Sequence, residues 1–246
     1  MTTGKNNELP NIIKLESLAQ ADTKRKNWRE IELFAEILNV FISGFNHMGS
    51  FELKEDNETE YIWLLIVTRC FHSIRCSINL MLKGYYSQAM SLLRIGTEDW
   101  FICGTCQSNE KVRRYLLQEK GRMPSYSSLA TQMGAKDVYN GDYNYQSKFT
   151  HSSRLSLRVL YNINTKNMSI APIYDESLFL LCAESLVRVS LKMAEYIGRI
   201  LIYLDTNKAK SWDKENSQRL KDAVNWLEEL REKYGNGSKN ANQDYN

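Results

Sequence analysis

The apolar positions of this chain recur every three or four residues over long stretches, which is the spacing of one face of an α-helix. This pattern predicts long helices at about 28–48, 59–83, 85–106, 175–205 and 214–234. It also predicts a helix from about Asn11, short helices at about 109–120 and 127–133, and a helix at about 142–160. No stretch alternates apolar and polar residues as a half-buried strand does. The pattern therefore predicts an all-α protein.

The spacing of these helices predicts one domain. A single helical bundle of six to eight helices is expected over residues 9–234, with its core at about 59–205. The chain has 246 residues, of which 43% are hydrophobic, so it can bury one large core. Its 3 prolines and 12 glycines are few, which favours long helices over a turn-rich sheet. The polar segments 1–8 and 235–246 are predicted to be disordered.

The predicted helix at 85–106 carries very few charges, and Arg94, Glu98 and Asp99 are the only formal ones. Apolar residues cover most of its circumference, which is typical of a buried helix. Arg94 and Glu98 lie four residues apart, so they share a face and can form an ion pair. Because a buried charge without a partner costs several kcal/mol, roughly, we expect further polar groups near this pair.

Two other predicted helices supply such polar groups. Tyr143, Ser147 and His151 are spaced four residues apart and form one stripe on the helix at 142–160. A second stripe on the helix at 59–83 contains Arg69 and His72, on the side away from its apolar seam. We interpret Arg69, His72, Tyr143 and Ser147 as candidate binding residues.

This polar constellation has two interpretations. In the first, it is a satisfied network that fixes the register of the helices. In the second, Arg94 anchors an anion or phosphate, Glu98 orients Arg94, and His151 acts as general acid and base. Arg94, Glu98 and His151 are therefore the candidate catalytic residues.

Two short motifs resemble those of a broad group of uncharacterised bacterial helical proteins. The first motif is Ala-x-x-Leu-Leu-Arg-x-x-x-Glu within Gln88–Glu98, and the second is Tyr-x-x-x-Ser-x-x-x-His-x-Ser, which begins at Tyr143. That group is distantly similar to HEPN-type helical domains and to abortive-infection proteins of bacterial anti-phage systems. The resemblance implies a setting in phage defence or mobile elements, and either ribonuclease activity or an inactive partner role.

The sequence departs from the HEPN catalytic motif, in which a histidine follows an arginine by four to six residues on one helix. Arg69 and His72 are separated by only two residues, and no arginine shortly precedes His151. A HEPN-like ribonuclease would therefore need Arg94 and His151 to meet from different helices.

Charge and cysteine content narrow the class of protein. The net charge of +3 does not favour strong duplex DNA binding, although a local basic cluster contains Lys111, Arg113, Arg114, Lys120 and Arg122. That cluster is either a local basic surface or a solvated helix face. The five cysteines are interpreted as reduced core residues. Cys103 and Cys106 form a C-x-x-C motif, for which a zinc site is the alternative.

No complete catalytic motif and no P-loop or dinucleotide-binding motif occurs, so the leading prediction is a non-enzymatic interaction or regulatory protein. The alternative is an RNA-cleaving or nucleotide-processing enzyme that uses Arg94, Glu98 and His151. We predict a protein partner or a homodimer formed through the apolar seam of the helix at 175–205, with RNA or a nucleotide as the alternative partner. No signal peptide and no apolar run of membrane-spanning length is recognisable, so we expect a cytoplasmic protein with no membrane partner, no metal and no cofactor.

Overall fold

The structure is a computed structural model that describes residues 8–49, 57–150, 161–162, 167–168, 172 and 174–235. Within these ranges the chain forms 9 helices, if the contiguous helical turns of 136–150 are counted as one. They are α1 (Glu8–Lys26), α2 (Trp28–Met48), α3 (Glu58–Leu82), α4 (Tyr86–Cys106), α5 (Glu110–Gln118), α6 (Tyr126–Gln132), α7 (136–150), α8 (Glu176–Leu204) and α9 (Thr206–Gly235). The all-α prediction is confirmed, and the predicted number of six to eight helices is slightly too low.

Helix α8 lies at the centre of the bundle, where it packs against α2, α3, α4 and α9. Its apolar face is buried along its whole length, from Phe179 through Leu186 to Leu201. Each such side chain stabilises the fold by about 1.5–3 kcal/mol through the hydrophobic effect. Helices α3 and α4 pack extensively against each other and form the wall on which the candidate site is built.

The connection between α3 and α4 is a tight reversal at Gly84. Gly84 has a φ of +84°, a left-handed conformation that glycine adopts without strain. The backbone N–H of Tyr85 donates to the carbonyl of Leu80 at 2.8 Å, which closes the end of α3. This reversal ends α3 and fixes α4 beside it.

Helix α7 begins earlier than the sequence pattern predicts. It starts with Lys136–Val138, passes through a π-helical turn at Tyr139–Tyr143 and continues as Asn144–Thr150. The sequence predicts a loop here because Asn140 and Gly141 are turn residues. The wider π-helical turn keeps this segment helical. The part of the predicted helix after residue 150 lies outside the described residues.

Helix α9 also begins earlier than predicted, at Thr206 and not near residue 214. The Asp205 carboxylate accepts a hydrogen bond from the backbone N–H of Asn207 at 2.7 Å, so it caps the new helix immediately after α8 ends. This start brings Trp212 into the core, where its indole N–H donates to the carbonyl of Val40 at 3.2 Å.

Between α7 and α8, Tyr161–Asn162 pairs antiparallel with Asn167–Met168. The sequence predicts a loop around these positions, and a pairing of two residues on each side is too short to show an alternating pattern. No helix within the described ranges is long and apolar enough to cross a lipid bilayer. The predicted disordered segments 1–8 and 235–246 fall almost entirely outside those ranges, except that Glu8 and Gly235 are the end residues of helices.

Two sequence interpretations are corrected by burial. Cys76 is exposed on α3, whereas Cys70, Cys103, Cys106 and Cys182 are buried, so only four of the five cysteines are core residues.

The α8 seam predicted to form a homodimer, which includes Ala183 and Val187, is buried inside the chain itself. Because α2, α3, α4 and α9 already cover α8, that face cannot form the predicted interface.

Candidate functional site

The first ion pair of the site forms within α4. Arg94 Nε lies 3.2 Å from Glu98 Oε1, and the two side chains are 20% and 11% exposed. The pair exists because residues four apart on a helix face the same direction. The predicted Arg94–Glu98 pairing is therefore present and largely withdrawn from solvent.

Tyrosines from two other helices surround this pair. The Tyr143 hydroxyl of α7 donates to Glu98 Oε1 at 3.4 Å, and the Arg94 guanidinium lies 5.8 Å from the centre of the Tyr143 ring. The hydroxyl of Tyr126 in α6 also hydrogen-bonds to Glu98. Burial raises the pKa of both tyrosines, and the nearby Glu98 carboxylate raises each pKa further. Glu98 thus joins three helices through one carboxylate.

A second ion pair lies one residue further along α4. The Asp99 carboxylate is fully buried. It accepts hydrogen bonds from Nη2 and Nε of Arg69 in α3, the latter at 3.4 Å. Burial raises the pKa of Asp99 to about 6, although Arg69 acts in the opposite direction. Adjacent helix residues point about 100° apart, so Glu98 faces α6 and α7 while Asp99 faces α3.

A neutral contact completes the attachment of α7 to α4. The Thr97 hydroxyl donates to Gln146 Oε1 at 2.9 Å, and both residues are buried. Close packing accompanies it, since a Cβ added at Gly96 would lie 2.5 Å from Cγ1 of Val189 in α8. Three successive residues therefore connect α4 to its neighbours: Thr97 contacts α7, Glu98 contacts α6 and α7, and Asp99 contacts α3.

The remaining predicted site residues lie apart from this network. Ser147 donates to the carbonyl of Tyr143 in its own helix at 2.8 Å. His72 is exposed on α3 and lines an open depression with Arg69, Leu65 and Leu92, among others. His151 lies outside the described residues.

The C-x-x-C motif has the character of a buried structural feature. Burial raises the pKa of Cys106 to about 12 and also raises the pKa of Cys103. Metal binding requires the thiolate form, which these environments disfavour. Within the described ranges, no group of three or more histidine, cysteine or acidic residues could hold a metal ion.

Comparison with known proteins gives no relative. No protein-family model matches the chain, and neither a curated protein nor a solved structure matches it. The function must therefore be argued from the site and the surface of this chain alone.

Proposed function

We propose that this chain is a non-enzymatic interaction or regulatory protein in which the site on α4 holds the bundle together. The observation that carries this proposal is the mutual pairing of the charged groups: Arg94 contacts Glu98, and Arg69 contacts Asp99. The hydroxyls of Tyr126 and Tyr143 also form hydrogen bonds with the Glu98 carboxylate. A general acid or base must reach a proton of the substrate. The Glu98 and Asp99 carboxylates instead contact side chains of the same chain. The resemblance to abortive-infection proteins supports a setting in phage defence or mobile elements.

One observation favours the enzymatic alternative. The helices that carry the two sequence signatures are adjacent, since Tyr143 of α7 contacts both Arg94 and Glu98 of α4. A ribonuclease that combines Arg94, Glu98 and His151 would need this adjacency. The two proposals differ in one measurable property, which is cleavage of RNA.

We expect purified protein to leave total cellular RNA intact, with and without a divalent metal, because the Glu98 and Asp99 carboxylates of α4 are already paired within the chain. The measurement is gel electrophoresis of RNA over a time course, with a His151→Ala variant made in parallel. Cleavage by the wild-type chain that disappears in a folded His151→Ala variant would refute the non-enzymatic proposal. Cleavage that persists equally in that variant would show that it does not use His151, which would exclude the site of Arg94, Glu98 and His151.

Exposed apolar residues at the start of the bundle support an interaction role. Ile13 and Leu18 of α1 are each 54% exposed, and Trp28 at the start of α2 is 61% exposed. Large apolar side chains exposed on neighbouring helices can take part in a contact with another protein. We propose a second copy of the chain as the partner, bound through α1 and not through the buried α8 seam.

We expect light scattering after gel filtration to give twice the chain mass of 28.6 kDa. The double variant Ile13→Ser/Leu18→Ser is expected to give the monomer mass, because it removes the apolar contact. Ile202→Ser, at an equally exposed apolar position of α8, is the control and is expected to remain dimeric. A monomeric wild-type chain would rule out self-association and direct the search to a different protein.

A further inference from the structure

The segment after α5 folds back against that helix. Helix α5 begins at an Asn109 cap, whose side chain accepts the backbone N–H of Val112 at 3.3 Å. It ends where Glu119 adopts a left-handed conformation with a φ of +53°, and Gly121 follows with a φ of +85°. The backbone N–H of Lys120 returns to the carbonyl of Arg114 at 3.4 Å. This reversal brings the residues of the turn beside the charged side of α5.

The reversal borders an open basic cavity of about 800 Å³. Its lining side chains include five cations and two carboxylates, which gives a formal charge of +3, and they are Glu58, Glu110, Lys111, Arg113, Arg114, Lys120 and Arg122. Leu117, Gln118 and Gly121 complete the lining. The volume lies within the range of about 300–1,000 Å³ that is typical of small-molecule sites. We name this feature the α5 cavity.

Two guanidinium groups of the α5 cavity already contact other groups of the protein. Arg113 Nη1 donates to the carbonyls of Cys106 and Gln107 at 2.7 Å each, so it caps the end of α4. Arg114 Nη2 lies 2.6 Å from Glu110 Oε1. The two backbone contacts hold the Arg113 guanidinium at the wall of the cavity before any ligand arrives, whereas the pair of Arg114 with Glu110 is exposed to solvent.

Three further cations of the α5 cavity form no ion pair within the described ranges. They are Lys111, Lys120 and Arg122, and all three are exposed. Like charges gathered on a short helix and its following turn repel one another. A ligand with several negative charges would relieve this repulsion and gain charge-assisted hydrogen bonds.

We propose that the α5 cavity binds a compact polyphosphate group, such as the triphosphate of a small molecule. The positive excess of the lining favours a ligand that carries several negative charges close together. No aromatic side chain is among the lining residues of the described cavity, so no aromatic ring there would stack on a nucleobase. The cations of the lining would bind the phosphates, and recognition is therefore independent of the base. This site is separate from the ion pairs on α4 and does not depend on the proposed interaction role.

The test is titration of the full chain with inorganic tripolyphosphate by isothermal calorimetry. We expect saturable binding at one site that weakens as the salt concentration rises, as binding to several cations requires. The variant Lys120→Glu/Arg122→Glu is expected to weaken binding at least about tenfold, because two charge-assisted contacts become repulsive. Circular dichroism would establish that this variant, which changes two exposed turn residues, keeps its helices.

The matched control is Lys208→Glu/Lys210→Glu, which makes the same change of charge at two exposed positions of α9. It is expected to change the affinity less than about twofold, since unspecific electrostatics between distant exposed charges are screened. We expect ATP and GTP to compete with tripolyphosphate equally. Absence of saturable binding, or equal weakening in both variants, would overturn the proposal. Binding of single-stranded RNA that tripolyphosphate does not displace would overturn it in favour of an RNA surface.

Discussion

Replacing Arg69 with methionine is expected to lower the free energy of unfolding by about 3 kcal/mol near neutral pH. The reason is that Asp99 is fully buried and would lose both hydrogen bonds from the guanidinium. Removing one partner of a buried pair leaves an uncompensated charge, at a cost of about 3–5 kcal/mol. We expect the lower end because the Arg69 side chain is 52% exposed and water screens part of the interaction.

The loss is expected to depend on pH in a defined direction. The pKa of Asp99 is about 6 in the folded chain, above its ordinary value of 3.8. A raised carboxyl pKa means that ionisation of Asp99 destabilises the fold progressively as the pH rises through this interval. Arg69 opposes that rise in pKa, so its removal costs most where Asp99 is ionised. The measurement is urea unfolding at about pH 7.5 and about pH 5, with a smaller loss expected at the lower pH.

Two further variants make the result specific. Arg75→Met removes an exposed arginine from the same helix and is expected to change stability by less than about 0.5 kcal/mol. Asp99→Asn in the Arg69→Met background is expected to recover much of the loss, because the buried charge is removed. An equal loss at both pH values would contradict the assignment of the effect to Asp99.

The sequence predicts the helices well because most of them bury one continuous apolar face. The departures occur where tertiary contacts decide the outcome. Asn140 and Gly141 signal a turn, yet a π-helical turn carries the chain through them. The first turns of α9 have little periodic apolar character, and Trp212 becomes helical and buried because α2 lies beside it.

The candidate site could be predicted only where its residues are close in sequence. The pairing of Arg94 with Glu98 follows from helical spacing alone. The sequence indicates that Asp99 needs a partner, because it is a further charged residue in an apolar helix. That this partner is Arg69 depends on how α3 packs on α4. No sequence pattern predicts the hydrogen bond of Tyr126 to Glu98. The orientation of α6 depends on the loops that flank it, and hydrophobic periodicity gives no information about loops.

Replacing Arg94 with methionine is expected to lower the free energy of unfolding by about 2–3 kcal/mol, because Glu98 would keep its tyrosine donors but lose its counter-charge. The Glu98 side chain is only 11% exposed, so water can compensate little. For a chain of this length the melting temperature should fall by about 5–10 °C. A double-mutant cycle with Glu98→Gln is expected to give a coupling of about 1–2 kcal/mol, and it separates this pair from other contacts of Arg94.

The matched control is Arg114→Met, which breaks an ion pair of the same spacing on α5. That pair has side chains that are 61% and 63% exposed, so its loss should cost less than about 0.5 kcal/mol. The comparison isolates burial as the cause, because both variants remove an arginine four residues from a glutamate. If the Arg94→Met variant had the same melting temperature as the wild-type chain, the fold would not need Arg94 as the counter-charge of Glu98. The network would then not be what fixes α4 against α6 and α7, and an arginine held for a ligand would become the better explanation.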